Sequence, residues 1–297
     1  MKYRTLLKTG MQVSEIGFGC MSLGKNDEAA SIRLVQEALD AGINYFDTAD
    51  IYDGGANEEL AGKALAGHRK KIILATKVGN VIKPGGGKGF DWDPSKQHIL
   101  RSVEGSLKRL QTDHIDLYQL HGGTINDPID ETIEAFEILK QQGKILHYGI
   151  SSIRPNVIRE YVKRSGMVSV MTQYSLLDRR PEEEVLDLLQ ENNIGVMARG
   201  VLAQGLLVNK PPKEYLQHSE PAVNRAREAL AAITGATEQN TGAAIGFVLQ
   251  HKAITSAVIG FRTSAQLKNA LVPFTLSNEE LAILQNAVPA KTYGEHR

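Results

Sequence analysis

The stretch Lys71-Ile72-Ile73-Leu74-Ala75-Thr76-Lys77 decides the fold. Its apolar residues are consecutive rather than alternate, the pattern of a strand buried on both faces, and it closes on a charge. Runs of the same kind recur at Ile16–Cys20, Ile43–Asp47, Ile115–His121, Ile145–Ser151, Val168–Gln173, Ile194–Arg199 and Ser256–Gly260. Between them lie segments of helical period: Ser31–Ala41, Ser95–Leu110, Asp130–Gln142, Pro155–Arg164, Pro181–Glu191 and Pro221–Ile233. Boundary residues support the division. Asp130 stands where an N-cap would, and Gly42, Gly143 and Gly166 follow helix ends where a left-handed residue closes the last turn. Eight strand–helix units in 297 residues predict an α/β fold, a (β/α)8 TIM barrel occupying residues 1–297 as one domain. An open doubly wound sheet is the alternative. Its glycine-rich phosphate turn is missing, since the first run ends Gly17-Phe18-Gly19-Cys20-Met21 without a third glycine.

Three pieces fall outside the units. Residues 3–15 read as an N-terminal hairpin turning at Thr9-Gly10 and plugging one end of the barrel. Residues 79–94 read as a long loop on the active face. Ser277 with Glu280 forms a capping-box pattern that opens a C-terminal helix running to about Ala287.

Lysine plus arginine number 34 and aspartate plus glutamate 34, so no net charge marks a nucleic-acid or anionic membrane surface. A lone cysteine, Cys20, excludes an internal disulfide and a multi-cysteine metal site. The remaining histidines show no metal-ligand spacing, and no metal is expected. Residues 1–5 carry no apolar core of signal-peptide length, and the expected setting is the cytoplasm.

Chemistry in such a barrel belongs at the C-terminal ends of the strands. Those ends are Asp47, Lys77, His121, Ser151 with Ser152, Gln173, Arg199, and Gly260 followed by Arg262. Lys77 allows two readings: a Schiff-base nucleophile of the aldolase kind, or a cation that favours the charged form of a neighbour. Asp47 is its counter-ion, and Tyr52 lies five residues further on in the same loop. A tyrosine beside a lysine can act as general acid toward a developing alkoxide, and a neutral imidazole at His121 can hydrogen-bond a carbonyl oxygen. This set needs a hydride from outside the protein, hence a nicotinamide cofactor. Ser151, Ser152 and Gln173 offer donors and acceptors to its amide. Gly205-Leu206-Leu207-Val208-Asn209-Lys210 and Gly260-Phe261-Arg262, the latter leading into a helix near Ser264, offer backbone amides and cations to its phosphates. The fork of Arg262 suits a 2′-phosphate.

Five segments, in order and spacing, resemble the aldo-keto reductase family over nearly the whole chain. They are Gly42-Ile43-Asn44-Tyr45-Phe46-Asp47-Thr48-Ala49-Asp50-Ile51-Tyr52, Ala75-Thr76-Lys77, Asp116-Leu117-Tyr118-Gln119-Leu120-His121, Gly149-Ile150-Ser151 and Gln204-Gly205-Leu206-Leu207. The resemblance implies NADPH-dependent reduction of small aldehydes or ketones, with NADH as the other possible donor. It places the catalytic tetrad on Asp47, Tyr52, Lys77 and His121, with Tyr52 as proton donor. It also places Gly19, Met21, Arg199, Gly200, Leu202, Gln204, Gly205, Leu207, Lys210, Gly260, Phe261, Arg262 and Gln266 beside the cofactor. Cys20 would pack there too. Three positions depart from the family pattern. Ser152 replaces an asparagine, Arg199 stands where many members have an aromatic residue against the nicotinamide, and Ala270 occupies the place of an adenine-contacting asparagine. Trp92 is a candidate wall of the substrate pocket, and the Gly122-Gly123 turn suggests a roomier mouth than in relatives. Two other functions remain open at this point. One is the redox-sensing module of potassium-channel β subunits, which the barrel also resembles. The other is the Lys77 aldolase.

Overall fold

The structure, a computed structural model, describes residues 1–24, 27–83, 89–236, 239–272 and 274–297. It opens with an antiparallel hairpin, β1 (Tyr3–Leu6) and β2 (Met11–Ser14), in which Gly10 takes the left-handed conformation that closes the turn (φ 75°). The first barrel strand β3 (Ile16–Gly19) then leads to α1 (Glu28–Asp40), and β4 (Tyr45–Asp47) leads through a 3-10 turn at Tyr52–Gly55 to α2 (Ala56–Ala64). β5 (Ile73–Val78) is followed by a second hairpin, β6 (Asn80–Ile82) with β7 (Phe90–Trp92), and by α3 (Lys96–Leu110). Regular alternation follows: β8 (Ile115–Leu120), α4 (Ile129–Gln141), β9 (Ile145–Ser151), α5 (Pro155–Arg164), β10 (Ser169–Gln173), α6 (Val185–Glu191) and β11 (Gly195–Arg199). Two helices, α7 (Glu220–Thr234) and α8 (Asn240–Leu249), precede β12 (Ile254–Ile259). α9 (Ser264–Ala270) and α10 (Asn278–Ala287) end the chain. Among the described residues no helix is long and apolar enough to cross a membrane.

The eight apolar runs are the eight strands of a closed parallel barrel, in the order β10-β11-β12-β3-β4-β5-β8-β9. Two cores result. Large and branched side chains between sheet and helices form the outer one. A smaller inner column holds Tyr45, Ile73, Ala75, Leu117, Val168, Met171, Met197 and Val258, with Leu6 and Val13 of the hairpin among them. The hairpin thus stoppers the barrel as expected. It sits so close that a Cβ added at Gly195 would lie 2.3 Å from a Leu6 methyl and 2.4 Å from the Thr255 hydroxyl.

The capping box at Ser277 and Glu280 forms with both of its hydrogen bonds, and Gly42 and Gly143 are left-handed. Four local expectations need correction. Residues 79–94 are not simply a loop, because Asn80–Ile82 pairs with Phe90–Trp92; residues 84–88 of that stretch lie outside the described residues. Asp130 is not the cap of α4, which begins one residue earlier behind Pro128 and takes Asp130 into its first turn. Gly166 is not left-handed, since the chain leaves α5 in an extended conformation at Ser165 and needs no such turn. The segment from Pro181 begins as 3-10 turn, and α-helix starts only at Val185.

Candidate active site

Three neighbouring strands build one side of the barrel mouth. Asp47 pairs in register with Ala75, and Lys77, one inward-facing position beyond, pairs with Gln119. Inward side chains on these strands therefore converge one layer above the apolar column. The Lys77 ammonium lies 2.5 Å from Asp47 Oδ1 and donates to the Thr48 carbonyl at 2.6 Å. Gln119 Nε2 donates to the other Asp47 oxygen at 3.1 Å. Lysine and aspartate are 1% and 4% exposed, so this is a buried ion pair. Burial alone would drive the ammonium toward neutrality, but Asp47, with a smaller contribution from Tyr52, outweighs it and holds the Lys77 pKa above its ordinary value. Burial pushes the Asp47 carboxyl upward against the pull of Lys77, Gln119 and Tyr45.

Tyr52 and His121 cover this pair. The ammonium sits 5.2 Å from the centre of the Tyr52 ring, and the Tyr52 and His121 rings meet edge to face at 5.9 Å. His121 follows β8 directly; its amide donates to the Val78 carbonyl at 2.7 Å and its carbonyl accepts from Asn80 Nδ2 at 2.8 Å. Burial first, then the charges of Lys77 and Arg199, pushes its pKa down to about 3. The imidazole is neutral at ordinary pH, and its buried Nδ1 has no hydrogen-bond partner among the described residues. The backbone after Tyr52 is left-handed at three consecutive residues, Asp53 (φ 49°), Gly54 (φ 66°) and Gly55 (φ 95°). Asp53 costs conformational energy there, and such departures gather at functional sites.

The other side of the mouth is a polar arc on β9, β10, β11, β12 and β3. Ser151 and Ser152 are buried at the end of β9. Gln173 ends β10 and Arg199 ends β11; Arg199 Nη1 donates to Gln173 Oε1 at 2.9 Å. Gln173 Nε2 donates in turn to Asp178 Oδ2 at 2.9 Å and to the Tyr215 hydroxyl at 3.3 Å. The amide of Gln173 is therefore already engaged at both ends. Gly200 packs on that side chain, with Leu202 partly buried behind it. Gln204 and Gly205 are left-handed, and the Gly205 carbonyl gathers the amides of Val208, Asn209 and Lys210. Across the mouth, Gly19 is half-buried at the end of β3 and Met21 is exposed. Gly260 lies against Ser22, and the Arg262 amide donates to Gln266 Oε1 at 2.8 Å on an exposed rim. Leu207 and Phe261 are buried, the latter against Phe18 at 5.3 Å.

Trp92 packs against Gly79 and Gly122, whose added Cβ atoms would come within 2.7 and 3.1 Å of the indole. Its Nε1 donates to Asp127, which also accepts from the Thr124 amide and hydroxyl. The glycine turn after His121 leaves room for this indole.

Sequence reasoning missed Gln119, Asn80 and Asp127. A signal existed for Gln119: it is a polar residue two positions before His121 within a buried strand, and so shares its inward face.

This barrel, with an ion pair buried beneath a tyrosine and a histidine, is that of an oxidoreductase. The chain belongs to the aldo/keto reductase family, whose model matches residues 15–289. It is 47% identical over 309 residues, covering 100% of both chains, to an uncharacterized oxidoreductase, YqkF, of Bacillus subtilis (strain 168). Among solved structures it is similar to the aldo-keto reductase AKR11C1 of Bacillus halodurans in its holo form, with a TM-score of 0.93 and 50% identity over 100% of this chain and 99% of that one. Against the apo form of the same enzyme the TM-score is 0.85, with 47% identity over 100% of this chain and 99% of that one.

Proposed function

We propose that this protein reduces small aldehydes or ketones to alcohols with NADPH as donor. The observation that carries the reading is the Lys77–Asp47 pair, held at 2.5 Å beneath the rings of Tyr52 and His121. The polar arc suits the cofactor. Ser151 and Ser152 offer hydroxyls at the amide end, Arg199 offers a guanidinium plane to the nicotinamide, and Lys210 and Arg262 offer cations at the phosphate end. The closer superposition on the holo than on the apo form of the Bacillus halodurans enzyme favours an arrangement suited to a bound cofactor.

Held by the residues of this arc, the nicotinamide would supply the hydride that the carbonyl carbon accepts. His121, neutral by burial, donates an N–H to the carbonyl oxygen and orients it. Tyr52 gives its proton to that oxygen as negative charge builds there, and the alcohol forms. The Lys77 ammonium stabilises the charge left on the phenol oxygen, while Asp47 and Gln119 keep the ammonium in place. Trp92 provides an apolar wall on the substrate side. The aldolase reading loses support from the same geometry: a Schiff-base lysine must shed its proton, whereas Lys77 is held protonated by Asp47 and hydrogen-bonded to Thr48.

The test is NADPH oxidation, followed by loss of its absorbance with a small aldehyde, in the wild type and Tyr52→Phe. The expected result is a loss of kcat of about 10²- to 10⁴-fold with NADPH still bound. Full turnover by the variant would remove the proton-donor assignment.

A further inference from the structure

The first turn of α2 carries two buried polar residues that brace the strand ends bearing both halves of the site's ion pair. Asn57, 2% exposed, accepts from the Thr48 hydroxyl at 2.7 Å and donates to the Cys20 carbonyl at 2.8 Å. Thr48 follows Asp47, and its carbonyl receives the Lys77 ammonium. Glu58, with no exposed surface, accepts from the Thr76 hydroxyl at 2.6 Å, and Thr76 precedes Lys77. The other Glu58 oxygen takes Arg109 of α3 through Nε at 2.7 Å and Nη2 at 2.6 Å. Arg109 in turn lies under the left-handed turn that follows Tyr52, where a Cβ added at Gly55 would sit 2.9 Å from its Cδ.

We infer that Asn57 and Glu58 are positioning residues: through Thr48, Thr76 and Arg109 they fix the distance between the Lys77 ammonium and the Tyr52 ring. The inference rests on the reading of Tyr52 as proton donor. Three physical arguments carry it. A buried carboxylate held by a half-buried guanidinium gives little net stability over apolar residues of the same size, so its value lies in placement. Both Glu58 oxygens are occupied, and a fully satisfied buried network is rigid. Asp53, at φ 49°, holds a left-handed conformation that a residue with a side chain keeps only where its surroundings impose it, and Arg109 packs against Gly55 two residues further on. Proton transfer is sensitive to displacement of its partners, so a small shift of Lys77 against Tyr52 slows chemistry while the part of the cofactor arc on β10, β11 and β12, which do not adjoin β4 or β5, is left as it was.

The test compares Glu58→Gln, Thr76→Val and Thr76→Ser in the full-length chain, with NADPH and 4-nitrobenzaldehyde. We expect Glu58→Gln and Thr76→Val each to lower kcat by about tenfold or more, with the NADPH Kd held within about twofold and a larger solvent deuterium effect on kcat. Thr76→Ser, which keeps the hydroxyl, restores the rate. The Glu58→Gln/Thr76→Val double variant loses less than the product of the two single losses, because the Thr76–Glu58 hydrogen bond is shared while Glu58 alone also holds Arg109. Unchanged kcat in the folded variants overturns the inference. So does a parallel loss of kcat and NADPH affinity, which is what general loosening would give. If Glu58→Gln does not fold, the two Thr76 variants decide between these outcomes. Tyr52→Phe measured alongside separates the two levels of the argument. A fully active Tyr52→Phe overturns both the proton-donor reading and this one. An inactive Tyr52→Phe beside wild-type rates in the Thr76→Val and Glu58→Gln variants overturns only the positioning role.

Discussion

Replacing Lys77 with methionine removes the cation from the centre of the site and leaves Asp47 buried. Breaking a buried pair in this way costs about 3–5 kcal/mol. Two features put this case near the lower end. Gln119 still donates to one Asp47 oxygen, and burial already raises the Asp47 carboxyl, so it can take up a proton instead of remaining charged. A loss of about 3 kcal/mol at neutral pH is expected, a large part of the roughly 5–15 kcal/mol that holds a domain together. Because the raised carboxyl is protonated more readily as pH falls, the deficit shrinks toward acid and grows as pH rises. The assay is urea unfolding across pH, completed as a cycle with Asp47→Asn and the double variant. Removing both charges should recover on the order of 1–2 kcal/mol of the sum of the two single losses. Activity should not follow stability, since both Lys77→Met proteins lack the cation and are expected to fall by about 10²-fold or more in kcat. Single losses that add without coupling, or a deficit independent of pH, would refute the pairing argument.

Asp50 carries a carboxyl pushed up to about 7, by burial first and by Glu58 second, against an ordinary value of 3.8. Its stabilising contribution is whole below 3.8 and is lost as pH rises to about 7, so Asp50→Asn should gain on the wild type across that window and level off above it, by at most about 1.4 kcal/mol per pH unit. A urea-midpoint difference constant across the window would contradict this. Gly195→Ala drives a Cβ into Leu6 and Thr255 and should cost about 1–3 kcal/mol in thermal unfolding, with kcat per folded molecule unchanged. Arg262→Ala should weaken NADPH by about tenfold and leave NADH as before, measured by quenching of Trp92 fluorescence. Equal losses for both would detach Arg262 from the 2′-phosphate.

Most of the barrel was legible because a doubly buried strand leaves a dense apolar run and a polar residue at its end. Asp47, Lys77 and His121 announce themselves in this way. α8 was not legible: nearly every residue of Asn240–Leu249 is buried, so it presents no polar face to give a helical stripe. α2 was hidden for the opposite reason. Its inward face begins with Asn57 and Glu58, which read as solvated residues until the fold sets them against threonines nine and eighteen positions away in the chain. The β6–β7 hairpin was masked by the glycine-rich sequence between its strands. Asp47, Tyr52, Lys77 and His121 were nameable from spacing and resemblance, but Gln119 and the indole resting on Gly122 depend on register and on contacts across loops.

The single cysteine has a practical consequence. Cys20 is fully buried at the end of β3, and burial raises its thiol far above the range in which it ionises at neutral pH. A thiol reagent added to the native protein has nothing to attack until the barrel opens beside α2, where Asn57 holds the Cys20 carbonyl. The rate of its modification is therefore a stopwatch for that opening, readable one molecule at a time by mass and in the same tube as turnover. No label need be engineered.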